Sequence, residues 1–473
     1  MGVESFFAET LRKNLDYEPT PCQDRLFDTL ARFAVQYDQC DILLVGGYAG
    51  TGKTSAIAAF VRTLKQLKYK YVLLAPTGRA AKVLSGFTGE KAYTIHKHIY
   101  RQKSLKDGIG EFQLNINKAK DTYFIVDEAS LIAADCGPNA QQSIFGSGDL
   151  LDDLVQFVRA GVDDKLIIIG DRGQLPPVGL DRSPALDVSY LSRYGSIMTA
   201  DLTTVVRQAS ESGILTNATI IRRIVEAGRA DTPKLRLAGF PDIERITGSE
   251  LIEKVSDAVD RYGLDDIVVL CRSNKRANRY NAGIRSQVLY REERLSRGDK
   301  LMVVKNCYQF LEDIPELDFI ANGDVARLER ISRYEERYGL NFAEATLSFP
   351  DYNDVEIKAK IILDTLDSEQ PALSAAQQSE LYKGVSEDYA DVRGARQRYN
   401  KVREDKYFNA LQIKYATAIT CHKSQGGQWP CVFIDNPFWQ ELTADDLKWL
   451  YTAMTRAVEK VYLVNFKDDF FER

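Results

Sequence analysis

Short apolar runs that end in polar, glycine-containing loops recur along the chain, and helical periodicity follows most of them. Buried strands that alternate with helices predict parallel sheets. A chain of 473 residues also exceeds the roughly 250–300 residues that one hydrophobic core accommodates. The pattern therefore predicts an α/β protein with more than one domain. The predicted strands are Asp41–Val45, Tyr71–Ala75, Tyr123–Val126, Leu166–Ile169, Asp266–Cys271, Lys414–Thr420, Pro430–Ile434 and Val461–Asn465.

The first strand leads into a glycine-rich loop that fits G-x-x-x-x-G-K-[ST], and an amphipathic segment follows it. In this context glycines let backbone N–H groups face phosphate oxygens, and the helix N-terminus adds partial positive charge. Lys53 is predicted to reach the β- and γ-phosphates of ATP, and Thr54 to hold magnesium. A chance glycine loop is the alternative, which the match of the whole motif in its proper context disfavours. The loop residues predicted to bind nucleotide are Gly47, Ala49, Gly50, Thr51, Gly52, Lys53, Thr54 and Ser55.

Polar residues at the ends of later strands extend this site. Asp127 and Glu128 follow the third strand, where Asp127 is predicted to hold magnesium through water and Glu128 to orient and deprotonate the attacking water. An isolated Asp-Glu pair would favour a helix N-cap, but the upstream P-loop favours catalysis. The next strand enters "GDRGQLPPVG", where Gln174 is a neutral amide suited to sensing the γ-phosphate. Upstream, Gln23 has an amide that can pair with the adenine edge.

Charge is unevenly distributed along the chain. The net charge of −5 argues mildly against a nucleic-acid partner, yet residues 53–103 hold 11 Lys or Arg and a single acid, Glu90. Such a basic stripe can hold a phosphate backbone, although a solvated helix face is the alternative. Seven cysteines without a CxxC pair predict reduced intracellular thiols, and three histidines argue against a histidine metal site. Since no apolar run is long enough for a signal peptide or a membrane span, we expect a cytoplasmic location without a membrane partner.

The ordered motifs of the chain resemble those of one known family. "APTGRAAK", "YTIHKHI", "VDEAS", "GDRGQLPPV", "LTTVVRQ", "YATAITCHKSQGG" and "LYTAMTRA" occur in the order and spacing of superfamily 1 DNA helicases of the RecD/Dda/Pif-type branch. The resemblance spans residues from about 20 to 465. It implies two RecA-like domains that clamp ATP, translocate 5′-to-3′ on single-stranded DNA and unwind duplex at junctions. It also implies a monomer that works beside other replication or repair proteins.

The resemblance assigns further residues to the two ligands. Arg207 and Arg456 match arginines that contact the γ-phosphate, and an arginine supplied across a cleft accelerates phosphoryl transfer by about 10³–10⁵. Gln425 and Gly426 would face ATP. Gln428 stands where relatives often carry a Glu that holds the ribose, so we expect altered nucleotide affinity. The residues implied to contact DNA are Pro76, Thr77, Gly78, Arg79, Thr94, His96, Asn274, Thr420 and His422, whereas His98 is expected to be a helix-surface histidine.

The predicted domains are an N-terminal RecA-like domain (1–205), a C-terminal RecA-like domain (206–330 and 406–473) and an inserted SH3-like and helical subdomain (331–405). A β-hairpin at about 100–120 is interpreted as a wedge that splits duplex, with a decorative loop as the alternative. Two other functions remain open. One is a single-stranded-DNA-stimulated ATPase that remodels nucleoprotein without processive unwinding, and the other is a P-loop NTPase unrelated to nucleic acid.

Overall fold

Two parallel β-sheets and a closed β-barrel form the strand framework, which a computed structural model describes over residues 2–36, 40–102, 112–134, 146–206, 212–307, 309–311 and 319–472. The strands are β1 Ile42–Gly47, β2 Lys70–Ala75, β3 Ala92–Thr94, β4 Tyr100–Gln102, β5 Phe112–Leu114, β6 Thr122–Val126, β7 Lys165–Gly170, β8 Ile197–Leu202, β9 Ile243–Ile246, β10 Ile267–Cys271, β11 Lys300–Val303, β12 Val325–Arg337, β13 Leu340–Phe349, β14 Val355–Ile362, β15 Leu411–Tyr415, β16 Ala418–Thr420, β17 Trp429–Asp435 and β18 Ala457–Val464. The helices are α1 Val3–Lys13, α2 Pro21–Val35, α3 Lys53–Gln66, α4 Gly78–Thr88, α5 Ile95–Ile99, α6 Leu150–Arg159, α7 Val188–Leu191, α8 Gly213–Glu226, α9 Leu251–Tyr262, α10 Asn274–Gln287, α11 Ala375–Asp388, α12 Ala395–Glu404 and α13 Ala444–Met454.

The N-terminal lobe (residues 2–206) is built on a six-stranded parallel sheet in the order β3-β2-β6-β7-β1-β8. Successive strand residues face opposite sides, so Leu43 and Val45 pack against α1–α3 while Ile42 and Leu44 face the side that carries α5 and α6. The central strands β1, β6 and β7 are buried along their whole length and mostly apolar, which is typical of parallel sheets.

The C-terminal lobe (residues 212–299 and 416–472) contains a second parallel sheet in the order β16-β10-β17-β18-β9. Helix α13 precedes its strand β18 and packs against α8, while α9 and α10 lie beside β10. The polar ends of the strands in both lobes thus lie at the carboxyl edges of parallel sheets, where α/β proteins bind ligands.

The barrel joins β11, β12, β13, β14 and β15 into a closed ring. Its strands lie on both sides of the predicted insertion 331–405, because β11 precedes that range and β15 follows it. The predicted single strand Lys414–Thr420 is also wrong: β15 belongs to the barrel, and β16 begins the lobe sheet after a break at residues 416–417. A continuous apolar run carries no signal of a change of sheet. Helices α11 and α12 pack on the barrel through Leu381, Val385 and Val402.

The predicted hairpin is present where the structure describes it. Strands β4 and β5 pair antiparallel, with Tyr100 opposite Leu114, and the tip at residues 103–111 lies outside the described residues. Within the described parts of the chain, no helix is both long and apolar enough to cross a membrane.

Candidate functional site

The P-loop joins β1 to α3 and has the geometry of a phosphate cradle. Gly50 and Gly52 have φ angles of 74° and 76°, a left-handed conformation that glycine adopts without strain. The Lys53 ammonium donates to the carbonyl oxygens of Gly47 (2.6 Å) and Tyr48 (3.0 Å), and lies 3.8 Å from the Asp171 carboxylate. The loop therefore presents backbone donors and a cation at the N-terminus of a helix, which suits a polyphosphate.

Two carboxyl groups follow β6 beside this loop. The backbone N–H of Glu128 donates to Asp127 Oδ1 at 2.9 Å, and Glu128 has a left-handed φ of 52°, which is uncommon outside glycine. Burial, together with the adjacent Glu128 charge, raises the pKa of Asp127 to about 6. Neighbouring half-buried carboxyl groups repel one another, so a divalent cation fits this donor set.

A tyrosine from the C-terminal lobe reaches into the same site. The Tyr451 hydroxyl donates to Asp171 Oδ2 (2.7 Å) and accepts the backbone N–H of Ala49 (2.9 Å). Asp171 is buried and also accepts the N–H of Gly173 at 2.8 Å. Helix α13 is thereby hydrogen-bonded to the P-loop and to the end of β7, so both lobes form this cleft.

Residues 174 and 175 are held between the lobes. The N–H of Leu175 donates to Thr452 Oγ1 (2.9 Å), and its carbonyl accepts the Gln425 side chain (2.6 Å). The neighbouring Gln174 is buried, and its Oε1 has no hydrogen-bond partner among the described residues. A buried polar atom without a partner is costly, so Gln174 is suited to a ligand that enters the cleft.

Arg456 is fully buried at the end of α13. Its guanidinium donates to the carbonyl oxygens of Thr452 (3.1 Å) and Gly427 (3.2 Å), both in its own lobe. These bonds tie Arg456 to the loop that contains Gln425 and Gly426. A contact between Arg456 and a γ-phosphate stays a prediction, and Arg207 lies outside the described residues.

A second cleft lies between the N-terminal lobe and the barrel. Five residues predicted to contact DNA line it together with residues around the barrel entrance. The lining includes Pro76, Thr77, Gly78, Thr94, His96, Lys97, Asn306, Phe319, Asn322, Asp324 and Tyr352. We call it the strand cleft.

The floor of the strand cleft is made of desolvated groups. Asp324 accepts the N–H of Ala321 (2.7 Å) and the Tyr352 hydroxyl (3.1 Å), and burial raises its pKa to about 7. Burial lowers the pKa of His96 to about 4, so its imidazole is neutral at physiological pH. The His96 ring lies 6.3 Å from that of Phe319. The cleft thus combines aromatic surface with polar groups.

Two family models match parts of the chain. A family model described as an AAA domain matches residues 29–236, and one described as a UvrD-like helicase C-terminal domain matches residues 415–464. The ATP-dependent RecD2 DNA helicase of Deinococcus radiodurans is 31% identical over 176 residues, which cover 37% of this chain and 20% of that protein. Over these parts of its length the chain is similar to helicases of the RecD type.

Other relatives share less sequence identity with this chain. An uncharacterized protein of Methanocaldococcus jannaschii is 21% identical over 460 residues, covering 89% of this chain and 36% of that protein. The chain therefore spans about a third or less of the length of these two curated relatives. Among solved structures, Pif1 helicase from Bacteroides with ADP-AlF3 and ssDNA has 15% identity and a TM-score of 0.47, covering 97% of this chain and 95% of that one. Pif1 helicase from Candida albicans has 16% identity and a TM-score of 0.44, with 96% of both chains covered.

Among the predicted DNA contacts of the N-terminal lobe, Arg79 is the residue that does not line the strand cleft. Its guanidinium lies 3.9 Å from the centroid of the Trp429 ring and donates to the Gln428 carbonyl at 3.2 Å. It therefore joins the two lobes and is absent from the lining of the strand cleft. Because Trp429 lies 350 positions further along the chain, no local sequence pattern could predict this contact.

The other predicted DNA contacts of the C-terminal lobe lie at the carboxyl edge of its sheet. Thr420 is in register with Cys271, Asn274 starts α10 and donates to the Glu369 carbonyl at 3.3 Å, and His422 is exposed. None of them is among the residues that line the strand cleft. Their contact with DNA stays a prediction.

Two polar side chains have structural partners that the sequence did not indicate. Gln23 is fully buried below the P-loop, where it forms a capping box with Thr20 and donates to the Tyr17 hydroxyl at 3.0 Å. Its amide faces the protein interior, and its pairing with adenine stays a prediction. His98 packs against the rings of Phe124 (5.8 Å) and Phe157 (5.7 Å), so the expectation of a surface histidine was wrong.

Proposed function

We propose that this chain is an ATP-dependent helicase that translocates 5′-to-3′ on single-stranded DNA and unwinds duplex. One observation carries the proposal: the loop Thr420–Gly427 borders both clefts. Gln425 bonds Leu175 beside the P-loop, while Lys423 donates to Asn322 of the strand cleft at 2.5 Å. A side chain on Gly426 would lie 2.9 Å from Thr77 Oγ1. A single short loop thus touches the residues that would sense nucleotide and those that would hold the strand.

In the nucleotide cleft, the P-loop N–H groups and Lys53 would bind the phosphates of ATP. Lys53 would exchange its bonds to loop carbonyls for stronger, charge-assisted bonds to phosphate. Glu128 would orient and deprotonate the attacking water, and Gln174 would bond the terminal phosphate. Arg456 and Arg207 would supply positive charge from the C-terminal lobe.

The cleft also fits magnesium. Thr54 at the start of α3 and Asp127 would hold the ion, since the crowded carboxyl groups after β6 call for a compensating cation. When bound, magnesium neutralises charge that develops on the phosphate oxygens. The chain's own part is to orient those oxygens and to keep Glu128 beside them.

In the strand cleft, backbone and hydroxyl groups would hold phosphates. Thr77 and Thr94 each cap the helix that follows, so their hydroxyl groups lie beside helix N-termini, where anions are favoured. His96 and Phe319 offer ring faces to bases of any sequence. We therefore expect binding that tolerates sequence and weakens with salt.

The test is an unwinding assay on duplexes that carry either a 5′ or a 3′ single-stranded tail, with ATP hydrolysis measured with and without single-stranded DNA. We expect DNA-stimulated hydrolysis and unwinding from the 5′ tail only, and neither in Lys53→Ala. Unwinding only from the 3′ tail would refute the polarity. If DNA stimulates hydrolysis but no unwinding occurs, the remodelling ATPase is favoured. If single-stranded DNA does not change the rate of hydrolysis, a function on nucleic acid is refuted.

A further inference from the structure

Helix α8 carries a buried arginine whose charge is poorly compensated. The Arg222 side chain is 10% exposed, and its Nε and one terminal nitrogen, Nη1, have no hydrogen-bond partner among the residues that the structure describes. The carboxylate of Glu226 lies 3.7 Å from Nε, which is too long for a hydrogen bond. Because arginine keeps its proton in proteins, this is a permanent buried cation with unused donors, an arrangement that costs free energy.

The partner that Arg222 does have belongs to the P-loop of the other lobe. Its guanidinium carbon lies 4.6 Å from the centroid of the Tyr48 ring. Tyr48 stands between Gly47 and Ala49 in the phosphate cradle. A cation–π contact is worth about 0.5–2 kcal/mol, less than a charge-assisted bond to an anion. The stacking on Tyr48 therefore compensates the charge only in part.

Arg222 is also close to the point where the lobes meet over the P-loop. The Tyr451 hydroxyl lies 2.9 Å from Ala49 N. Burial raises the pKa of Tyr451, and the Arg222 charge acts on it in the opposite direction. The guanidinium is thus within electrostatic reach of the first residues of the cradle. The inner phosphates are held further along the loop, towards the start of α3, so the first residues remain for the terminal phosphate.

We propose that Arg222 is a phosphate-binding arginine supplied by α8, which donates Nε–H and Nη1–H to the terminal phosphate of a bound nucleoside triphosphate after the Tyr48 ring moves aside. This assignment rests on the proposed nucleotide cleft. It accounts for the unused donors, because the ligand that satisfies them arrives from the other side of the cleft. It also makes the contact specific for the triphosphate, since a diphosphate lacks the group that Arg222 reaches.

The experiment measures the affinities of fluorescent non-hydrolysable ATP and fluorescent ADP, with magnesium, for the full chain. Arg222→Gln is expected to weaken triphosphate binding about ten-fold or more and to change diphosphate binding less than two-fold. Arg222→Lys, which keeps the charge but offers one nitrogen, should fall between. The matched control is Arg223→Gln, an exposed arginine at the next position of the same helix, which should change neither affinity.

A second measurement does not depend on changing Arg222. Tyr48→Trp places a fluorophore under the guanidinium, and its emission should change on binding the triphosphate but not the diphosphate. If Arg222→Gln lowers both affinities equally, so that their ratio is unchanged, Arg222 has a structural role and the proposal is overturned. The proposal is also overturned if the indole emission of Tyr48→Trp is the same with both nucleotides. If the unaltered chain binds neither nucleotide, the proposed function itself fails.

Discussion

Replacing Tyr451 with phenylalanine removes a single oxygen that connects the two lobes. That hydroxyl donates to Asp171 Oδ2 and accepts the N–H of Ala49. The ring is buried, and its packing against α13 neighbours is unchanged by the substitution. The change therefore isolates two hydrogen bonds between α13 and the nucleotide cleft.

The expected size follows from those two bonds. A neutral hydrogen bond contributes about 1 kcal/mol and one to a charged group about 1.5–3 kcal/mol. Asp171 keeps the Gly173 N–H and the nearby Lys53 ammonium, which offset part of the loss. We expect the free energy of unfolding without nucleotide to fall by about 2 kcal/mol.

Binding of nucleotide should restore part of the lost free energy of unfolding. In the nucleotide-bound form a phosphate oxygen takes the Ala49 N–H, so Tyr451→Phe costs only the bond to Asp171. The difference of about 1 kcal/mol corresponds to roughly five-fold tighter binding of a non-hydrolysable ATP analogue by the variant.

The assay is urea unfolding with and without a non-hydrolysable ATP analogue, combined with a direct titration of that analogue. Tyr290→Phe is the matched control, because the Tyr290 side chain is 82% exposed and should change neither quantity. No loss of stability in Tyr451→Phe would show that the hydroxyl does not bridge the lobes in solution. A loss that is the same with the analogue bound, and an unchanged affinity for it, would refute the competition between Tyr451 and phosphate for Ala49.

Three further predictions test other parts of the molecule. Lys53→Ala should reduce the rate of ATP hydrolysis by about 10² or more. The circular dichroism spectrum should be unchanged, because the ammonium bonds only to loop carbonyls and lies near Asp171. A residual rate within ten-fold of that of the unaltered chain would contradict the role of Lys53. Arg79→Ala should lower the free energy of unfolding by about 1–2 kcal/mol through loss of the Trp429 contact. It should also weaken DNA stimulation of the ATPase more than it weakens unstimulated hydrolysis. A loss of DNA affinity alone would mean that Arg79 contacts the strand. The pKa of Asp324 is raised in the folded state to about 7, so its contribution to stability is full below about pH 4 and is lost as the pH rises through 7. Asp324→Asn should therefore flatten the decline of the thermal midpoint between pH 5 and 8, and an unchanged pH dependence would show that Asp324 titrates as an exposed carboxyl group.

The motifs that coincide with strand ends in the structure are short and local. The P-loop follows β1, the carboxyl pair follows β6 and Gln174 follows β7, although the other lobe holds the residue after Gln174. Their roles towards nucleotide stay predictions. Five of the six predicted DNA contacts in the N-terminal lobe also line one cleft, because the ends of β2 and β3 are adjacent in the parallel sheet.

The predictions that failed concern contacts between distant parts of the chain. Arg79 and Gln23 contact Trp429 and the P-loop backbone, partners that their motifs did not indicate, and their contacts with ligands stay predictions. The barrel limits were misplaced because β11 and β15 pair across more than 100 residues of chain. Arg222 lies in an ordinary amphipathic helix, and only the packing of α8 against the P-loop distinguishes it from Arg223.

By itself the sequence determined the strand and helix types, the phosphate-binding loop and the resemblance to superfamily 1 helicases, since apolar periodicity and motif spacing are properties of neighbouring residues. The tertiary structure alone decided which lobe supplies each partner: Tyr451 to Ala49 and Asp171, Gln425 to Leu175, and Arg222 to Tyr48. Those contacts depend on how two separately folded sheets meet, and the geometry of that meeting follows from packing over the whole surface between them. No short stretch of residues determines the relative position of the two sheets.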